Sequence, residues 1–205
     1  MNPPTARASD DSEGLGGRLQ LLPNSLNGQQ RDLYDYLLST KVSWAEKVDF
    51  QARVTDGRLI GPFNMFLYSP IMSRAFNAWI DSEAEQTSLA DNVRQVIILA
   101  IGGVWNADYE VYAHTAVGRK AGLSDAAMRA ITQGDEPPEL SLSAKAALRF
   151  TLALVDERQV SDELYNATVQ TLTVQGVSDM VQLIGLYMAT SAFLNAFHIP
   201  SPATP

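Results

Sequence analysis

Cysteine is absent from the 205 residues. That one absence removes disulfides, thiolate nucleophiles, thiolate metal ligands and dithiol redox chemistry. Histidine is scarce too, with only His114 and His198 in the chain. A zinc site takes at least three protein ligands, so any ligand beyond these two would have to be a carboxylate that no spacing singles out, and no metal is expected. Strand signals are also few: "TDGRLIG" at 55–61 is the one short candidate. No uninterrupted apolar run approaches the roughly eighteen residues that cross a bilayer. The opening "MNPPTARASDDSEGLGGRLQ" has no apolar signal region, so the expected compartment is the cytoplasm. The nucleophile elbow GxSxG and the phosphate loops GxxxxGK[ST] and GxGxxG are missing as well, which leaves serine-elbow hydrolysis and standard nucleotide binding unsupported.

The composition is that of a globular protein, 46% apolar and 19% charged, with a formal net charge of -8. An acidic average field repels phosphate backbones and anionic headgroups, so neither nucleic acid nor a membrane surface is an expected partner. Residues 1–26, rich in Pro, Ser, Asp and Gly and without periodicity, read as a flexible N-terminal arm, and 199–205, "IPSPATP", as a flexible tail. The intervening 27–198 reads as a single all-α domain. Helices are predicted over about 27–40, 70–86 (Ser69 as cap, Pro70 first), 91–104 (Asp91 as cap), 107–121 (ending at Gly122), a short one after Ser124, 142–157, 162–174 after Ser161, and 177–197. The segment "VIILAI" is apolar on nearly every face and predicts a buried central helix.

The chemistry concentrates in "NADYEVYAHTAVGRKAGL". Glu110 and His114 stand four apart, on one helix face, with small or apolar neighbours. On a solvent face they form an ordinary contact worth a few tenths of a kcal/mol. Turned inward, they would be desolvated together. Burial raises a carboxyl pKa and lowers an imidazole pKa, which prepares the pair for proton exchange. Arg94 on the preceding helix is a candidate for an organic acid's carboxylate, with Arg53 and Arg74 as further ones. Tyr109, Trp105, Phe63 and Asn64 are candidates for the walls of a site.

The run "RQVIILAIGGVWNADYEVYAHTAVGRKAGLSDAAMRAI" resembles the core of the carboxymuconolactone decarboxylase family, which includes the alkylhydroperoxidase D-like proteins. "GPFNMFLYSP" at 61–70 looks like that family's Gly-Pro segment, and 160–197 looks like its C-terminal helix pair. The resemblance spans about 60 to 198 and implies an alkylhydroperoxidase D-like all-α fold, assembly as a homotrimer or hexamer, and a pocket between helices. It also implies that His114 is the family histidine. In the peroxidase branch, cysteines stand four and seven residues before that histidine; here those positions are Glu110 and Ala107. An acid that many members keep after the arginine is Gln95 here. Cysteine-based peroxidase chemistry is thereby ruled out of the expectations.

The leading expectation is a cofactor-free, decarboxylase-like lyase of aromatic-compound catabolism, or a related isomerase or hydrolase. It acts on a small organic acid or lactone, with Glu110 and His114 sharing the proton transfer. The alternative is a non-catalytic oligomeric protein that binds a small molecule in the same cavity.

Overall fold

The computed structural model describes residues 17–18 and 21–202. Nine α-helices are present among the described residues: α1 (Gly28–Leu37), α2 (Ser43–Lys47), α3 (Pro62–Phe66), α4 (Pro70–Gln86), α5 (Asp91–Trp105), α6 (Asp108–Lys120), α7 (Asp125–Thr132), α8 (Leu142–Leu152) and α9 (Asp162–Ala196). Wide π-helical turns follow α1 at Leu38–Val42 and α8 at Ala153–Glu157. The fold is all-α. The strand candidate at 55–61 forms only an isolated bridge between Arg53 and Leu59, too short to extend into a sheet.

Helix α5 is the axis. Every residue from Val93 to Gly102 except Arg94 is buried, as its all-round apolar sequence requires. The α7, α8 and C-terminal α9 helices pack on one side of it through Ile97, Ile101, Ile131, Leu148, Met180 and Leu183. A second cluster, built from α1, the segment 42–67 and α6, closes the other side through Leu37, Phe50, Ile60, Phe66 and Tyr109. Each such aliphatic side chain, fully buried, contributes about 1.5–3 kcal/mol. Helix α5 stops where Asn106 turns left-handed, at φ 49°. The chain then reverses directly into α6, which lays Glu110 and His114 against α5.

Local signals set most of the helix starts. Asn27 and Gln30 form a reciprocal capping box on α1, and Ser124, Ser141 and Ser161 each accept a backbone N–H in the first turn of their helices. Two expected caps differ. Ser69 stands before α4 with no side-chain bond, leaving Pro70 as the start signal. Asp91 lies inside the first turn of α5, where Ala90 is the cap residue and the carboxylate faces the helix's positive end. The two helices expected at 162–174 and 177–197 are both present within α9, separated by a kink where Thr173 leaves helical geometry (φ 66°, ψ 170°) and its Oγ1 accepts from Gly176 N. By length and composition α9 alone among the described helices could cross a membrane; here it packs on α5 and α8.

Of the expected arm 1–26, residues 1–16 and 19–20 lie outside the described residues. The part at 21–26 is tied down: Leu21 N donates to Asn64 Oδ1 and Leu21 O accepts from Asn64 Nδ2. In the tail, Ile199 is buried, while 203–205 lie outside the described residues.

Candidate active site

A cavity of about 530 Å3 lies among α3, α4, α5, α6 and α9, and the turn 38–42 with α2 covers it. One face of α4 lines it through Asn77, Ile80, Asp81 and Ala84, positions spaced three and four apart. One face of α6 lines it through Glu110, Ala113, His114 and Val117. Much of the remaining wall is apolar or aromatic, with Trp44, Val48, Phe50, Phe63, Phe66 and Leu186.

Glu110 and His114 are only 3% and 7% exposed. The face that carries them points inward. Glu110 Oε1 lies 3.2 Å from His114 Nε2 but is not aligned as a hydrogen bond, so this buried oxygen has no hydrogen-bond partner. On the other side of the ring, His114 Nδ1 is 2.8 Å from Gln95 Oε1. An amide oxygen only accepts, so Nδ1 carries the proton and Nε2 turns its lone pair toward Glu110. The Tyr187 ring meets the imidazole edge-on, with centroids 5.0 Å apart.

Burial sets the charge state of this pair. It pushes the Glu110 carboxyl from its ordinary 4.5 up to about 8. Burial, reinforced by the nearby Arg94 cation, pulls His114 from 6.5 down to about 3. At neutral pH the contact therefore joins a neutral acid to a neutral base, and is no ion pair despite its distance. Burial also raises Tyr187 above the usual tyrosine value, which keeps its hydroxyl protonated.

Arg94 lines the cavity, but its charge is already engaged. Its Nε and Nη2 stand 3.2 and 2.5 Å from the two oxygens of the buried Glu83, and Nη1 is 3.9 Å from Asp91. Burial opposes its charge, yet Glu83 outweighs that and holds the guanidinium protonated.

Among the other expected site residues, Tyr109 and Phe63 line the cavity, and the Tyr109 hydroxyl donates to Gln51 O at 2.6 Å. Asn64 and Trp105 do not line it. Asn64 is fully buried and spends its amide on Leu21; Trp105 packs between the two cores, its carbonyl accepting from Asn195. Arg53 pairs with Glu46 in solvent, and Arg74 lies over the Tyr36 ring. His198 is exposed, does not line the cavity and contacts Arg18 at 2.9 Å. Among the described residues no group of three or more acidic or histidine side chains is placed to hold a metal.

The sequence reading left out Lys41, Asp81, Asn77 and Tyr187. Asn77 is wholly buried, its Nδ2 donating to Ser73 O while its Oδ1 has no partner. The spacing of Asn77, Ile80, Asp81 and Ala84 within the eight residues 77–84 was a visible clue, since it puts two polar groups on the inward stripe of an amphipathic helix.

These helices have the alkylhydroperoxidase D-like fold. The chain is similar to an uncharacterized peroxidase-related protein from Ralstonia eutropha JMP134, an alkylhydroperoxidase AhpD core, at 17% identity and a TM-score of 0.67 over 91% of this chain and 92% of that one. An uncharacterized peroxidase-related protein from Silicibacter sp. TM1040 matches at 12% identity and TM-score 0.66, over 99% and 96% of the two chains. A cysteine-to-alanine variant of the debrominase Bmp8, solved in complex with 2,3,4-tribromopyrrole, matches at 12% and 0.69 over 91% of each chain. No protein-family model and no curated protein matches the sequence.

Proposed function

We propose that the protein is a proton-transfer enzyme of the carboxymuconolactone decarboxylase-like kind, in which His114 and Glu110 work on a small lactone or organic acid bound in the cavity. The observation behind this reading is the buried line Gln95, His114, Glu110 on the cavity wall, with a protonated carboxyl facing an imidazole lone pair. A neutral acid and a neutral base, side by side, suit bifunctional catalysis.

In the step proposed, His114 Nε2 takes a proton from the carbon beside the substrate's carbonyl while the Glu110 O–H gives its proton to the carbonyl oxygen, forming an enol. Imidazolium and carboxylate remain. The imidazolium then gives its proton to a different carbon while the enol O–H returns its proton to the Glu110 carboxylate, so both residues recover their starting states and the product is an isomer. Loss of CO2 or addition of water to a related compound would use the same pair. The ring compound held by the Bmp8 variant makes small rings the first class to screen.

The test is to incubate a panel of unsaturated lactones in D2O and follow deuterium uptake, isomer formation and CO2 release by NMR. Glu110→Gln and His114→Ala should each lose roughly a hundredfold or more. Undiminished turnover in both folded variants would remove the pair from the chemistry, and binding without any turnover would favour the non-catalytic binding protein. The proposal includes a cytoplasmic location and a homotrimer or hexamer; exposed Tyr68, Ile71 and Met72 at the start of α4 support self-association.

A further inference from the structure

We infer that the cavity takes an uncharged, mainly apolar ring compound, a lactone or enone and not a carboxylate. The inference rests on the site proposed above, and it chooses between the two substrate classes left open there.

A carboxylate entering an apolar cavity sheds water at a cost of several kcal/mol, which only an available cation can offset. Lys41, Arg94 and Lys120 are the lysine and arginine side chains that line this cavity among the described residues. Each already has a carboxylate. Glu83 grips Arg94 in a two-pronged bond in which neither side chain is more than 14% exposed. Lys41, 13% exposed, is bonded to Asp81, whose other oxygen accepts from the Tyr36 hydroxyl at 2.6 Å. Lys120 pairs with Asp49 at 2.9 Å, both more than half exposed, so it stands in solvent at the mouth and cannot hold a ligand in the interior.

Asp91, on the wall as well, adds a further negative charge. An incoming anion would therefore have to displace Glu83 or Asp81 from a partner fixed to it by the fold, while facing the carboxylate that it displaced. A neutral ring meets none of this. It finds Phe63, Phe66, Trp44 and Leu186 for its faces and the Glu110 hydroxyl and His114 Nε2 for its carbonyl and its acidic C–H.

The experiment is calorimetric titration, at pH 7, of matched pairs of one- and two-ring carboxylic acids and their primary amides, benzoate with benzamide and 2-naphthoate with 2-naphthamide among them. The amides should bind at least about tenfold more tightly than the acids, since burying the ionised group is what differs within a pair. Asp81→Asn, which frees Lys41 at a partly exposed position, should narrow or reverse that ranking. Glu83→Gln should do so more strongly where the protein folds. Tighter binding by the acids in the native protein, or no saturable binding by either member of any pair, overturns the inference. The ranking is read from binding alone. An inactive Glu110→Gln variant that keeps the amide preference would separate failure of the catalytic reading from failure of this one.

Discussion

Gln95 decides which nitrogen of His114 faces Glu110. Its side chain is buried, and its Oε1 accepts the Nδ1 proton at 2.8 Å, so it is a positioning residue with a definite electrical consequence. A neutral amide orients the ring without favouring imidazolium. A carboxylate in the same place would favour the charged ring, since opposite charges within a few ångström stabilise the ionised form. Gln95→Glu should therefore raise the His114 pKa from about 3 toward the histidine range. The 15N shifts of the imidazoles would show it directly in a chain with two histidines. In the native protein the same spectrum should show His114 as the neutral Nδ1–H tautomer down to about pH 4. Gln95→Leu leaves a buried donor unpaired, at about 1–3 kcal/mol, and frees the ring to adopt either tautomer. A fall in kcat larger than any change in KM is expected for it. If Glu110 must be protonated to act, kcat in the native protein declines above about pH 8, and a profile flat to pH 10 would contradict that role.

At the scale of the helices, the approach of α5 to its neighbours depends on particular small residues. A Cβ on Gly103 would stand 2.2 Å from the Thr132 carbonyl oxygen at the end of α7. Backbone cannot step aside cheaply, so Gly103→Ala should destabilise the fold by about 1–3 kcal/mol, read as a lower melting temperature with the α5–α7 contact loosened in hydrogen exchange. Gly61 does related work at positive φ, 64°, where a Cβ would strike the Tyr109 ring at 2.3 Å. Element boundaries of this kind were legible in the sequence wherever their cause is local. Caps such as Ser124 and Ser161, the Pro70 start and the stop at Gly122 (φ 88°) are each written within a few residues. The inward turn of Glu110 and His114 was legible only as a possibility, because small neighbours permit burial without requiring it. What stayed hidden is tertiary. The Glu83 grip on Arg94 joins two helices across eleven residues, and the Lys41 bond to Asp81 joins segments forty apart. No periodicity announces either, and both change what the cavity can bind. Asn64 misled for the same reason: its partner, Leu21, lies in a segment whose composition suggested an arm.

For the whole molecule, the neutral pair links folding to pH with opposite signs on its two sides. Glu110 ionises at about 8 when folded and near 4.5 when unfolded. Between those values the folded state holds the extra proton, so stability falls as pH rises. His114 titrates at about 3 when folded and near 6.5 when unfolded. There the unfolded state holds the extra proton, and stability rises with pH. The two slopes oppose each other from 4.5 to 6.5, which leaves a plateau. Above 6.5 only the Glu110 slope continues, and it removes about 2 kcal/mol by pH 8, at 1.4 kcal/mol per unit. Below 4.5 the His114 slope removes a similar amount by pH 3, to which the protonation of Asp81, held below its ordinary value by Lys41 and Tyr36 against the pull of burial, adds. The alkaline limb is the diagnostic one, because most surface carboxylates are fully ionised there and contribute no slope. Urea denaturation at intervals from pH 3 to 9 should show the plateau and both declines. Glu110→Gln should erase the decline between 6.5 and 8 while leaving the acid limb in place. A native protein whose stability holds steady or rises from pH 6.5 to 8 would mean that Glu110 is already ionised in the folded state, and the cavity wall would then carry a carboxylate where a proton donor is proposed.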